Sequence, residues 1–241
     1  MERKHFLKSL LMGAASAPVL LSACGKDDVT PTSTTTTTTS SGTTTTSSGS
    51  CTVAPTETEG PFPTHTPSSY VRSDITDGRT GYKLTVKITV TNSASSCAAL
   101  GGALVDIWHC DAQGNYSEYG GTGMQSTNYT SVHFLRGRQT TDSAGLVTFT
   151  SIFPGWYSGR ATHIHVHVYN ASGTSLKVTQ IAFPEGTGTA LAAVNGYAKG
   201  LTGYTYNKSD NVFSDDTAGI EIATVTGNTT DGFVLTMNIA V

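Results

Sequence analysis

Charge is scarce in this sequence. Asp, Glu, Lys and Arg make up 13% of its 241 residues, with 17 acidic against 14 basic side chains and a net charge of -3. A nucleic-acid binder carries a basic stripe or patch for the phosphates, and there is no excess of Lys or Arg to build one. Long hydrophobic runs are missing too. The apolar run Leu10–Leu21 is about a dozen residues, too short to span a hydrocarbon layer of about 30 Å as a helix. No Gly-x-Ser-x-Gly elbow appears, which leaves a Ser-His-Asp hydrolase without support. No segment repeats at a fixed period. The chain is instead rich in Gly (26 residues) and in Thr and Ser, a balance that suits an exported all-β domain with many turns.

The N-terminus carries an address. Met1–Lys8 is basic, Leu10–Leu21 is apolar, and Leu21-Ser22-Ala23-Cys24 resembles a bacterial lipobox, with small residues before the cut and a thiol to carry lipid. Residues 1–24 are therefore expected to be a lipoprotein signal peptide, with Cys24 lipidated and the protein exported and anchored to a bacterial membrane. Arg3-Lys4-His5-Phe6-Leu7-Lys8 also resembles a twin-arginine export signal with Lys in place of the second Arg. Residues 25–52 are nearly all Thr, Ser and Gly after a short acidic start, with too little apolar surface to offset the entropy of ordering. They read as a linker. With Cys24 lipidated, an oxidising compartment predicts one disulfide among Cys51, Cys97 and Cys110. Sequence does not fix the pairing; Cys51–Cys97 is preferred, with Cys110 a buried thiol on a core strand.

Residues 53–241 read as strands. Leu84, Val86, Ile88 and Val90 alternate with Lys83, Thr85, Lys87 and Thr89, the mark of a half-buried strand. Further strands are expected at 103–108, 146–152, 163–169, 176–183 and 233–241, and a short helix within 189–198. Spaced short strands of this kind predict a β-sandwich.

The sharpest chemical feature is His163-Ile-His165-Val-His167. Alternate residues of a strand share a face, so three imidazoles point the same way, and two at i and i+2 can bind one metal ion. The plain alternative is an exposed polar face. Upstream, Pro154-Gly155-Trp156-Tyr157 forms a turn that presents Tyr157 to the same end of the sandwich as His163. Asp111-Ala-Gln-Gly-Asn-Tyr116 follows the strand that ends in Trp108.

Together these segments resemble the intradiol ring-cleavage dioxygenases, the family of catechol, hydroxyquinol and protocatechuate dioxygenases. The resemblance runs from about Thr56 to Phe183 through Thr58-Glu-Gly-Pro-Phe62, Val105-Asp-Ile-Trp-His-Cys-Asp-Ala-Gln-Gly-Asn-Tyr116-Ser, Phe134-Leu-Arg-Gly-Arg-Gln-Thr-Thr-Asp142, Pro154-Gly-Trp-Tyr157, Arg160-Ala-Thr-His163-Ile-His165 and Thr179-Gln180. The opening Glu-Gly-Pro-Phe and the Trp-His-Cys element look most like an exported branch of that family.

The resemblance implies Fe(III) held by Tyr116 and Tyr157 as tyrosinates and by His163 and His165 as imidazoles. Phenolate suits a hard, highly charged ion, and no carboxylate stands near His-x-His to make a ferrous two-His-one-carboxylate site. It implies catechol and O2 as substrates and a cis,cis-muconate-type diacid as product. Tyr157 is expected to leave the metal as substrate binds and to act as an internal base, while Tyr116 stays. Arg160 is expected to face the substrate and stabilise negative charge developing on the ring, and Gln180 matches a glutamine near the metal. His167 lies one pleat further, roughly 7 Å beyond His165, and is expected to support the site or lie at the surface. His109 and His133 have no ligand counterpart; His109 reads as a satisfied interior or rim histidine, and Trp108 and Trp156 as packing residues. The chain departs from the cytosolic enzymes in a shorter Tyr157–His163 segment, which predicts a more open site, and in lacking a recognisable helical dimer domain. Two competing readings are a non-catalytic iron- or catechol-binding surface lipoprotein and a stalked glycan-binding or adhesive sandwich.

Overall fold

A computed structural model describes residues 51–241. The signal segment 1–24 with Cys24, and the linker up to residue 50, lie outside the described residues. Nine strands are seen among the described residues: β1 (Lys83–Asn92), β2 (Ala98–Ala99), β3 (Leu104–Trp108), β4 (Arg136–Thr140), β5 (Leu146–Ile152), β6 (His163–Tyr169), β7 (Ser175–Ala182), β8 (Thr224–Asn228) and β9 (Gly232–Ala240). One short α-helix, α1 (Ala190–Val194), starts at Thr189, whose hydroxyl accepts from the Ala192 amide, the usual way to satisfy a free N-terminal donor.

The strands form two sheets. In the first, β1 pairs in parallel with β9, which β8 flanks antiparallel; on its other side β1 pairs antiparallel with β5 and, at its end, with β2. The second sheet runs β4-β3-β6-β7, all antiparallel. The alternation along β1 is realised as read: Leu84, Val86, Ile88 and Val90 are fully buried. They meet Val105 and Ile107 of β3, Ile164, Val166 and Val168 of β6 and Ile181 of β7 in one core between the sheets. The fold is the expected β-sandwich.

This layering decides where chemistry can sit. The inner face of the second sheet is largely apolar, so the chemistry-bearing residues that alternate with it along the same strands face outward. They are Asp106 and Trp108 on β3, Arg136 and Arg138 on β4, His163, His165 and His167 on β6, and Gln180 on β7. Almost all of them are nonetheless buried, because loops and the N-terminal segment 54–64 cover this face. That segment is tied down by the Ala54 amide to the Ala240 carbonyl and the Glu57 amide to the Val178 carbonyl. Cys51, within the stretch read as linker, is disulfide-bonded to Cys97, the preferred pairing, and Cys110 is a buried free thiol.

Candidate active site

The register sets the first contacts. His165 on β6 stands opposite Trp108 on β3 and Gln180 on β7. Trp108 lies flat on the His165 ring, centroids 4.9 Å and planes 2° apart. Gly60 packs on His165 too: a Cβ there would stand 2.9 Å from the His165 Cε1. The ring is thus held in a slot that only a glycine leaves open.

His163 is held by its other nitrogen. Its Nδ1 lies 2.6 Å from the Ala161 carbonyl oxygen. A carbonyl only accepts, so Nδ1 carries the proton and Nε2 keeps a lone pair. That Nε2 is 3.1 Å from the Tyr116 hydroxyl and 3.1 Å from the His165 Nε2.

Tyr116 reaches this point through the turn after β3. The Asp111 carboxylate accepts the Gln113 and Asn115 amides at 3.0 and 2.9 Å, winding the chain so that Tyr116 is fully buried, with Phe62 stacked on it at 4.6 Å. Gly114 in this turn has φ +90°, and a Cβ there would lie 2.2 Å from the Trp156 carbonyl. The glycine lets the Pro154–Tyr157 turn sit against the Tyr116 turn. The Tyr157 ring ends 5.9 Å from that of Tyr116 and 5.7 Å from that of His163. Tyr157 is half-buried, the other three buried. The structure therefore brings together all four side chains singled out as ligands.

Burial dominates their proton affinities. It drives the His163 pKa down to about 3, with Arg160 adding to the effect, and it holds His165 well below the usual range, with His163 adding. Burial pushes the Tyr116 phenol well above its ordinary value and also raises Tyr157, against the pull of Arg160. Neutral imidazole is the ligating form. A cation among these atoms would lower both phenols in turn, since a bound metal reverses the local pKa logic. His165 Nδ1 is buried with no hydrogen-bond partner. Among the described residues no group of three or more His, Cys, Asp or Glu is placed to hold a metal, but half of this set is phenolic. Two imidazoles with two phenols suit a hard, highly charged cation.

Arg160 and Gln180 adjoin the cluster. Arg160 Nη2 donates to Gln180 Oε1 at 2.7 Å, and Gln180 Nε2 donates to the Thr58 carbonyl at 2.9 Å. A cavity of about 420 Å³ opens here, lined by Thr58, Pro61, Met124, Tyr157, Arg160 and Val212 among others. A larger one of about 770 Å³, lined by Tyr206, Lys208, Phe213 and Ile222, touches the cluster only through Phe213.

The remaining histidines are occupied elsewhere. His109 is buried between the Cys110 carbonyl and Ser151, a satisfied interior residue as expected. His167 contacts Glu59, Ser175 and Tyr169, and so supports the covering segment. His133 meets Tyr70 and Glu118. Trp156 packs in the core and donates to the Gly200 carbonyl.

A family model described as Dioxygenase matches residues 59–213, well over half of the chain and inclusive of every residue of the cluster. The chain belongs to the intradiol ring-cleavage dioxygenases. Similar solved structures agree. An intradiol ring-cleavage dioxygenase from Tetranychus urticae is 28% identical with a TM-score of 0.68, over 79% of this chain and 94% of that one. The dioxygenase domain of a carbohydrate-binding fusion from Streptomyces sp. SirexAA-E is 27% identical with a TM-score of 0.55, over 79% and 98%. Hydroxyquinol 1,2-dioxygenase from Pseudomonas putida DLL-E4, 15% identical with a TM-score of 0.53 over 78% and 66%, shares the fold. A comparison with curated proteins returns no match.

In this intradiol dioxygenase the sequence reading missed one buried group. Asp210 is fully buried and its carboxylate receives Arg160 Nε at 2.9 and 3.2 Å, the Ala161 amide at 2.6 Å and the Val212 amide at 2.8 Å. Burial by itself would lower the Arg160 pKa, but these hydrogen bonds and the charge of Asp210 hold it above its ordinary value. Asp210 follows the last motif of the resemblance, in a Tyr-, Asn- and Ser-rich loop with no periodicity, so only its acidity set it apart.

Proposed function

We propose that this dioxygenase binds Fe(III) through Tyr116, Tyr157, His163 and His165 and opens catechol-type rings between their hydroxyl groups, using O2, to give cis,cis-muconate-type diacids. The observation that carries the reading is the meeting of Tyr116 Oη, His163 Nε2 and His165 Nε2 at 3.1 Å spacings in a buried site with Tyr157 alongside. When bound, ferric iron would supply Lewis acidity that favours ionised phenols, both those of the tyrosines and those of a catechol.

The chain's own residues divide the rest of the work. Trp108 and Gly60 fix the His165 ring, and the Ala161 carbonyl fixes the His163 tautomer, so both lone pairs are preorganised. Tyr116, buried under Phe62, has little room to move and stays in place. Tyr157, half-buried at the cavity, is free to swing and to take a catechol proton on its phenolate oxygen. Arg160 lines the cavity as a fixed cation and favours negative charge developing on the ring, and Gln180 links it to the covering segment. Phe62, Pro61 and Val212 exclude water from the inner side.

We further propose that the enzyme is an exported lipoprotein, attached through Cys24 and held off the membrane by the Thr/Ser-rich linker. The sequence pattern of residues 1–24 supports this reading. Lipid labelling that persists in Cys24→Ala would overturn it.

The test of the chemistry is a visible spectrum of the purified chain before and after a catechol is added in air. A tyrosinate-to-iron(III) band that is lost in Tyr116→Phe and reduced in Tyr157→Phe, together with an ultraviolet muconate-type product, is expected. A band that shifts with catechol and yields no product would instead favour an iron- or catechol-binding protein. A colourless protein that stays so after loading with iron would overturn both.

A further inference from the structure

We infer that Asp210 is the positioning residue of this site, setting the guanidinium of Arg160 and, through the Ala161 peptide, the ring of His163. The inference rests on the proposed function, because it assigns Asp210 a part in that reaction.

The geometry points one way. Asp210 is a fully buried carboxylate, shut off from bulk solvent, and such a charge persists only where donors surround it. Four contacts do so. Both oxygens accept Arg160 Nε, Oδ2 also accepts the Ala161 amide, and Oδ1 accepts the Val212 amide. Arg160 Nη2 is taken by Gln180. One nitrogen of the guanidinium is thus on Asp210 and a second on Gln180, beside the cavity that Arg160 lines with Tyr157.

The second branch runs through one peptide unit. The Ala161 amide donates to Asp210, and the Ala161 carbonyl accepts His163 Nδ1–H at 2.6 Å. Asp210 thereby fixes the chain at the residue whose carbonyl fixes the His163 tautomer. The same residue also anchors the chain that supplies Val212 to the cavity wall, since the Val212 amide closes onto its Oδ1 and the Ser214 amide onto its carbonyl. Glu57, another acid in the region, couples to Arg160 and Asp210 through charge. Asp210 never reaches the reacting atoms, and its effect must be transmitted by Arg160 and His163.

The test uses Asp210→Asn in the full chain, loaded with iron. Misplacing an aligned group by about 1 Å costs on the order of 100-fold in rate, so kcat per bound iron is expected to fall by about that factor. KM, and the affinity for 4-nitrocatechol measured under nitrogen, are expected to stay within about threefold. Adding Asp210→Asn to Arg160→Ala should cost little beyond Arg160→Ala alone, as groups acting as a unit do. A crystal structure of the metal-free Asp210→Asn chain should show the Arg160 guanidinium turned from its place. Full kcat in Asp210→Asn, losses that multiply in the double variant, or an unmoved Arg160 would each overturn the inference. Should Asp210→Asn not fold, Asp210→Glu keeps the charge and lengthens the arm; its kcat per iron should fall about 10-fold, and undiminished kcat would count against us. A parent chain that binds iron but turns over no catechol refutes the function, whereas the metal-free structure still decides what Asp210 holds.

Discussion

Gly114 shows how one missing side chain assembles two turns. Its φ is +90°, and a methyl carbon on it would stand only 2.2 Å from the Trp156 carbonyl oxygen, which leaves no route for alanine without moving the backbone. Gly114→Ala is expected to lower stability by about 1–3 kcal/mol through strain and overpacking and to weaken any tyrosinate signal by pushing Tyr157 away. Thermal unfolding and the visible spectrum check both. Glu221 is a residue-scale case of a different kind. It is fully buried, its Oε2 has no partner, and burial, with Glu57, Asp216 and Asp215 adding to it, raises its pKa from 4.5 to about 8. An acid raised in the folded state binds more protons there than in the unfolded chain, so stability from this group is present at low pH and lost as pH climbs from about 4.5 to 8. Glu221→Gln should therefore flatten the fall in melting temperature between pH 5 and 8 and stabilise the protein most at the upper end.

At the scale of elements, legibility followed the inner face. β1, β3, β5, β6 and β9 all announce themselves because apolar residues at period two had to fill one core. β4 did not: Arg136-Gly137-Arg138-Gln139-Thr140 carries charge outward and only a glycine and a glutamine inward, where Gly137 leaves space for Ile75. β8, an edge strand of mixed polar residues and glycine, was missed for the same reason. The four clustered side chains and Arg160 were legible because short motifs flank them, whereas Asp210 sits in a loop whose meaning exists only in three dimensions. β4 is more than a strut. Arg136, fully buried, donates to the Phe62 and Ser117 carbonyls and to Thr64 and Ser117 hydroxyls, and pairs with buried Glu118. Arg136→Met should destabilise the domain by about 3–5 kcal/mol, because it removes the buried cation beside Glu118 and takes the donor from the Phe62 and Ser117 carbonyls, and loosen the segment that stacks Phe62 on Tyr116. Denaturant unfolding gives the first and amide exchange across 57–64 the second.

Across the whole domain, the N-terminal segment is closed onto the sandwich at both ends, by the Cys51–Cys97 disulfide and by the contacts of 54–64. The bridge spans a sequence separation of 46, and chain-entropy arguments assign a loop of that size roughly 4 kcal/mol. Cys97→Ala should lower the melting temperature by several degrees while leaving the spectrum of the site unchanged, since the bridge ties Cys51 to the turn between β1 and β2 of the first sheet and His163 and His165 stand on the second. A loss of the spectral signature at temperatures where the chain stays folded would instead mean that the covering segment depends on the bridge.

The side chains that do chemistry and those that hold the fold occupy opposite faces of the same strands. His163, His165 and Gln180 look outward where Ile164, Val166 and Ile181 look inward. For a lineage this separation is permissive. Residues that line the cavity, such as Met124 and Val212, lie outside the inter-sheet contacts of the strands, so new ring substituents can be explored by descendants that still have a sound core, and even a copy that lost its chemistry would persist as a folded protein open to another use.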